Sequence, residues 1–173
     1  MKIQLSDHFS YRKLIRFTLP SIGTAPVVSF HYGARNHGEL RSLLRKSTVM
    51  ISAFSVVMVV AAQLLAVPLS KLFVGYDAGL MELTVSGFRI FGFSFLFQGF
   101  AIYGSGFFTA LNDGLTSALI SFLRTLVFQL LAVLLLPLIW GINGVWASII
   151  VAELMATTLS VVFLIIKQKK YQY

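Results

Sequence analysis

Residues 48–67 run for twenty positions without one charged side chain, and no feature of the chain limits its fold more. A helix needs about 20 apolar residues to cross the hydrocarbon core at ~1.5 Å per residue. In lipid, only helices or closed barrels satisfy every backbone group. Three further stretches share the same pattern: residues 83–111, 116–139 and 145–166, with Arg89, Gln98, Arg124, Gln129 and Glu153 the main interruptions. Pro68, Asn112-Asp113-Gly114 and Gly141-Ile142-Asn143-Gly144 are turn-formers, predicting breaks between the spans and one long loop over 68–82. The chain reads as an all-α integral membrane protein with four transmembrane helices.

Composition excludes the alternatives. Hydrophobic residues make up 57% of the 173 and charged ones 12%, about half the charged share of a soluble domain. A net charge of +8 invites a nucleic-acid reading. The Lys and Arg, however, fall in short clusters between uncharged runs instead of along one face, so no nucleic-acid partner is expected. With no cysteine, disulfides and thiolate metal sites are ruled out.

The clusters also orient the spans. Arg35, Arg41, Arg45 and Lys46 crowd the 31–47 segment, which is expected to be a basic loop. Lys167, Lys169 and Lys170 mark a 167–173 tail. Basic flanks stay in the cytoplasm, and four spans connect two inside ends, so both termini are expected inside the cell membrane. Residues 1–30 carry a basic start and an apolar run of 14 residues broken by Pro20, Gly23 and Pro26. That run is too short to span. It has neither the small-residue cleavage site nor the composition of a signal peptide, so it is read as a short interfacial or re-entrant segment.

Several motifs carry a family resemblance. Tyr32-Gly33-Ala34-Arg35-Asn36, then Leu40-Arg41 through Lys46-Ser47 into an apolar helix, resembles the multidrug and toxic compound extrusion (MATE) family before its ninth helix. Gly104-Ser105-Gly106 through Asn112-Asp113-Gly114 is similar to the end of its tenth helix. Ser121-Phe122-Leu123-Arg124 and Gly141-Ile142-Asn143-Gly144-Val145-Trp146 resemble its eleventh and twelfth. The likeness covers residues 31–170 and implies a partial C-terminal lobe of a fold with about twelve helices. Residues 1–22 resemble the start of such a transporter, which suggests an internal deletion joining the two parts near 22–26.

The resemblance implies efflux of small cationic or amphipathic drugs in exchange for protons or another cation. Four helices are less than one lobe, so a homo-oligomer or a partner fragment is implied. The alternatives are a non-transporting deletion remnant and a flippase-like carrier of lipid-linked substrates. Neither a catalytic triad nor a phosphate loop appears, and no enzyme activity or cofactor is expected. Sodium-coupled members resemble this chain with an acid at the position of Gln98. An amide cannot balance sodium's charge, so no metal site is expected either.

Polar side chains in hydrocarbon are costly and usually functional. Glu153 lies about eight residues into the fourth span, ~12 Å from its outer end. A carboxyl that gains and loses a proton there is what a proton-coupled carrier needs. The plainer reading is a neutral Glu that hydrogen-bonds a neighbouring helix, and it is slightly favoured. For straight antiparallel helices, Gln98, Gln129 and Glu153 fall in one layer, either as helix glue or as the wall of a polar cavity. Arg89 and Arg124 are expected to snorkel to the nearer interface. An Arg124–Glu153 pair must bridge a ~9 Å difference in depth. Phe91, Phe93, Phe95 and Phe97 alternate and so cover several helix faces, as lipid contacts or packing. Ala101 with Ser105, and Gly106 with Ala110, are small pairs that permit close helix approach. His8, His31 and His37 are placed in polar flanks, with surface or interfacial roles.

Overall fold

The computed structural model describes residues 25–173; the sequence reading of the basic start and most of the apolar run after it lies outside them. Among the described residues, seven α-helices occur in this order: α1 Ala25–Gly33, α2 His37–Val74, α3 Ala78–Gly92, α4 Phe95–Ala110, α5 Gly114–Phe122, α6 Gln129–Trp140 and α7 Ile142–Tyr171. A π-helical turn, Leu123–Phe128, joins α5 to α6 without a break. His37–Val74, Gly114–Trp140 and Ile142–Tyr171 are each long and apolar enough to cross a membrane. The α3–α4 pair, bent by 45°, makes a fourth, broken span when taken as one.

Helix boundaries differ most from the sequence reading in three places, besides α7 running from Ile142 through the expected turn at 142–144 and on into the 167–173 tail. The 31–47 segment is a loop only at its start, because α2 begins at His37. Asn36 caps it by accepting a hydrogen bond from the Glu39 amide at 3.2 Å. Leu40 and Leu43, three residues apart, are both fully buried. Such a cap and an apolar i, i+3 pair sustain a helix through basic surroundings. Pro68 does not end the span, since α2 continues through it to Val74. One proline removes one helical hydrogen bond, which a long membrane helix tolerates. The expected long loop over 68–82 therefore shrinks to three residues, 75–77, before Asp77 caps α3 by accepting from the Leu80 amide at 3.0 Å.

The third difference is the break inside 83–111. Phe93 and Ser94 donate their amides to Ile90 and Phe91, three residues back, so the ordinary ladder is interrupted. The Arg89 carbonyl loses its helical donor there, and Gln63 on α2 supplies one through Nε2 at 2.9 Å. Unpaired carbonyls are expensive in lipid, so this contact lets a bend exist at membrane depth.

α7 is the central post, packing against α3, α4, α5, α6 and the π turn. Both α3 and α4 approach it closely through glycines. The Trp146 ring fills the space a Cβ on Gly87 would occupy, and a Cβ on Gly104 would lie 2.7 Å from that of Ser160. Gly104, not Gly106, is the close-approach position: nothing lies within 4 Å of a Cβ built on Gly106. α6 turns into α7 at Gly141, whose φ of 56° with ψ of −136° suits glycine alone.

The tight core gathers at one end of the bundle, around Val27, Val28, Leu40, Leu43, Phe107, Phe108, Leu111 and Ile120. His31 is buried beside them, 1% exposed and edge-on to Phe30, so its expected surface position is wrong. Short α1 seals this end, with Ser29 donating to the Ala110 carbonyl at 3.0 Å. Elsewhere large apolar side chains face outward, among them Leu64, Leu72 and Leu138, as lipid-facing surfaces must.

Candidate functional site

Arg124 lies in the π turn and Glu153 three turns into α7. The structure brings them together. Arg124 Nε donates to Oε1 at 3.1 Å and Oε2 at 3.0 Å, and a terminal guanidinium nitrogen donates to Oε1 at 2.7 Å. The Glu153 side chain is 6% exposed and that of Arg124 21%. Arg124 therefore does not snorkel to the interface; it turns inward to a carboxylate. Ala152 and Ala156, on the same stretch of α7, are both buried.

The π turn explains why straight-helix reasoning underrated this pair. Gln129 donates its amide to the Arg124 carbonyl, five residues back. One extra residue in a turn rotates the rest of the helix by about 100° relative to a continuous α-helix. No Gly or Pro in 123–128 announces it. Among the described residues, every hydrogen bond to the Glu153 carboxylate comes from Arg124, so Gln129 is not its partner. Both glutamines are half-buried. Thr157, one turn beyond Glu153, donates to the Phe97 carbonyl at 2.8 Å. That contact sets Gln98 within about a helical turn of the ion pair in depth.

A second polar group escaped the sequence reading. Asp113, in the α4–α5 turn, accepts from Lys167 Nζ at 2.6 Å, from the Tyr171 hydroxyl at 2.7 Å and from the Thr116 amide at 3.3 Å. Lys167 also bonds the Thr116 hydroxyl at 2.6 Å. Burial alone would raise the Asp113 pKa, but the bonds from Lys167, Tyr171 and Thr116 outweigh it and hold the carboxyl well below its usual range. Sequence treated Asp113 as a turn residue and Lys167 as a tail charge. The available signal was that both belong to the same membrane side, at matching depth on adjacent helices. Nearby, Ser105 bonds Ser117 and Ser121, and Thr109 bonds Ser117 at 2.6 Å, stitching α4 to α5.

The two groups differ in what they can do. The Asp113 cluster is an end clamp. The Arg124–Glu153 pair is a charged contact in the middle of two spans, where breaking and remaking one ion pair changes the local charge seen by a solute or proton.

Comparisons with known proteins agree with this architecture. The MatE family model matches residues 16–135. The crystal structure of the Vibrio cholerae MATE transporter VcmN in the bent form superposes with a TM-score of 0.78 at 19% identity. The match covers 85% of this chain and 33% of that one, so the chain spans about a third of that transporter's length. No curated protein matches the sequence. With the helical membrane bundle and a family match over more than half of its length, the chain belongs to the MatE family of membrane transporters.

Proposed function

We propose that the chain takes part in MATE-type efflux, moving small cationic or amphipathic drugs outward in exchange for protons or another cation. The observation that carries this reading is the buried Arg124–Glu153 pair between two spans. Ionisable groups at membrane depth are retained chiefly where they serve a pathway or a relay. In this reading Glu153 is the exchanging carboxylate and Arg124 the countercharge that holds it while the site is empty. Gln98 and Gln129 are the polar neighbours at similar depth. The broken α3–α4 span supports it, since discontinuous helices are a recurring device of carriers.

In this reading the spans act together with further helices of the family fold, in a second copy or a partner fragment. We place the chain in the cell membrane with both termini cytoplasmic. A second reading is favoured by the bidentate geometry itself: a structural pair that pins the π turn to α7 in a chain that transports nothing.

Drug susceptibility of cells with and without the gene tests the proposal. Expression is expected to raise tolerance to lipophilic cations, and collapsing the proton gradient is expected to abolish the gain. Unchanged susceptibility in cells that carry the inserted protein would favour the second reading.

A further inference from the structure

A groove of about 270 Å³ opens where the start of α2 meets the end of α7. Arg41, Leu44 and Arg45 line it from α2, and Val161, Leu164, Ile165 and Gln168 from α7, together with Tyr173. The arginines are four residues apart on α2, so they share a helix face. Both are exposed, and among the described residues neither forms an ion pair.

The groove also has a definite level. The uncharged run of α2 begins at Thr48, and that of α7 ends at Ile166, just before Lys167. The arginines thus lie one to two turns outside the hydrocarbon, and the three aliphatic residues of α7 lie just inside it. This pocket is basic at headgroup depth and apolar at acyl-chain depth.

From these features we propose that the groove is a binding site for one anionic phospholipid of the leaflet on this side. The phosphodiester sits between the two guanidiniums, and an acyl chain lies along Val161, Leu164 and Ile165. Two like charges on adjacent turns repel one another, and a phosphate between them removes that repulsion. Guanidinium geometry suits phosphate oxygens, which accept paired N–H donors. Basic pockets between membrane helices are a recognised way of holding acidic headgroups.

The test uses the full chain, reconstituted in phosphatidylcholine vesicles with and without a minority of phosphatidylglycerol, then extracted gently and weighed by native mass spectrometry. Wild type is expected to retain phosphatidylglycerol in preference to phosphatidylcholine. The Arg41→Gln/Arg45→Gln variant is expected to lose about tenfold of that preference. Lys169→Gln/Lys170→Gln removes the same charge elsewhere and is expected to keep it. Ile165→Trp, which fills the apolar wall and leaves both arginines, is expected to weaken retention. Added inorganic phosphate is expected not to displace the lipid. Equal retention of the two lipids by wild type, an equal loss in the lysine variant, or displacement by free phosphate would each overturn the proposal. Circular dichroism and thermal unfolding of each variant separate failed folding from failed binding.

Discussion

Among the described residues, two ion pairs tie α7 to the spans beside it, and they are built in opposite ways. Asp113 at the bundle end draws bonds from Lys167, Tyr171 and Thr116, and its lysine is partly exposed. Glu153 at mid-span has, among the described residues, one partner, Arg124, which supplies all three of its bonds. Redundancy makes the first a fixed joint, because losing one donor leaves the others in place. Dependence on one partner makes the second a contact that is either made or broken.

Substitutions at the two pairs put this contrast to the test. Glu153→Leu should have the largest effect, because it leaves the half-buried Arg124 charge without its partner. A loss of about 3 kcal/mol is expected, read as a fall in thermal midpoint in detergent. Arg124→Leu/Glu153→Leu, which removes both charges, should recover most of that loss. If the double variant is as unstable as the single one, the pair is not the dominant contact at this position.

Asp113→Ala comes next, at roughly 2 kcal/mol, because Lys167 and Tyr171 lose an acceptor while Lys167 retains access to water. The pH dependence has a definite sign. The folded pKa of Asp113 lies below the unfolded value of about 4. Its contribution is therefore fully present above that value and fades as the pH falls through it toward the folded pKa. Between about pH 8 and about pH 5 the Asp113 contribution should not change. Asp113→Asn should flatten the acid limb of the stability profile, and an unchanged acid limb would show that other carboxyls control it.

The smallest expected change is a gain. Gly106→Ala places a methyl in open space on a helix face and should stabilise by about 0.5 kcal/mol through helix propensity. Gly104→Ala, meeting Ser160, should destabilise α4 against α7. Equal effects from the two would mean that α4 does not approach α7 through Gly104.

The same contrast separates what the sequence makes legible from what it hides. The membrane spans are readable from long uncharged runs, since hydrocarbon penalises charge whatever the packing. The helix start at His37, the bend at Phe93–Ser94 and the passage through Pro68 depend on local geometry, including particular hydrogen bonds such as Asn36 to Glu39 and Gln63 to Arg89. Periodicity does not carry these. The site was half legible: Glu153 stands out as an acid in an apolar run, and Arg124 as a base in the one before it. Their pairing depends on a π turn with no compositional mark, and on the long reach of an arginine side chain, which a depth count by Cα ignores. Straight-helix reasoning therefore puts Gln129 level with Glu153 and sets Arg124 about 9 Å away in depth.

The decisive measurement is proton-gradient-driven export of a lipophilic cation in inside-out vesicles, comparing Glu153→Gln with Asp113→Asn at equal insertion. Glu153→Gln is expected to stay inserted and folded but to lose gradient-driven transport. Asp113→Asn is expected to transport while unfolding at a lower temperature. Transport by Glu153→Gln at the wild-type rate would contradict the assignment of Glu153 as the exchanging carboxylate.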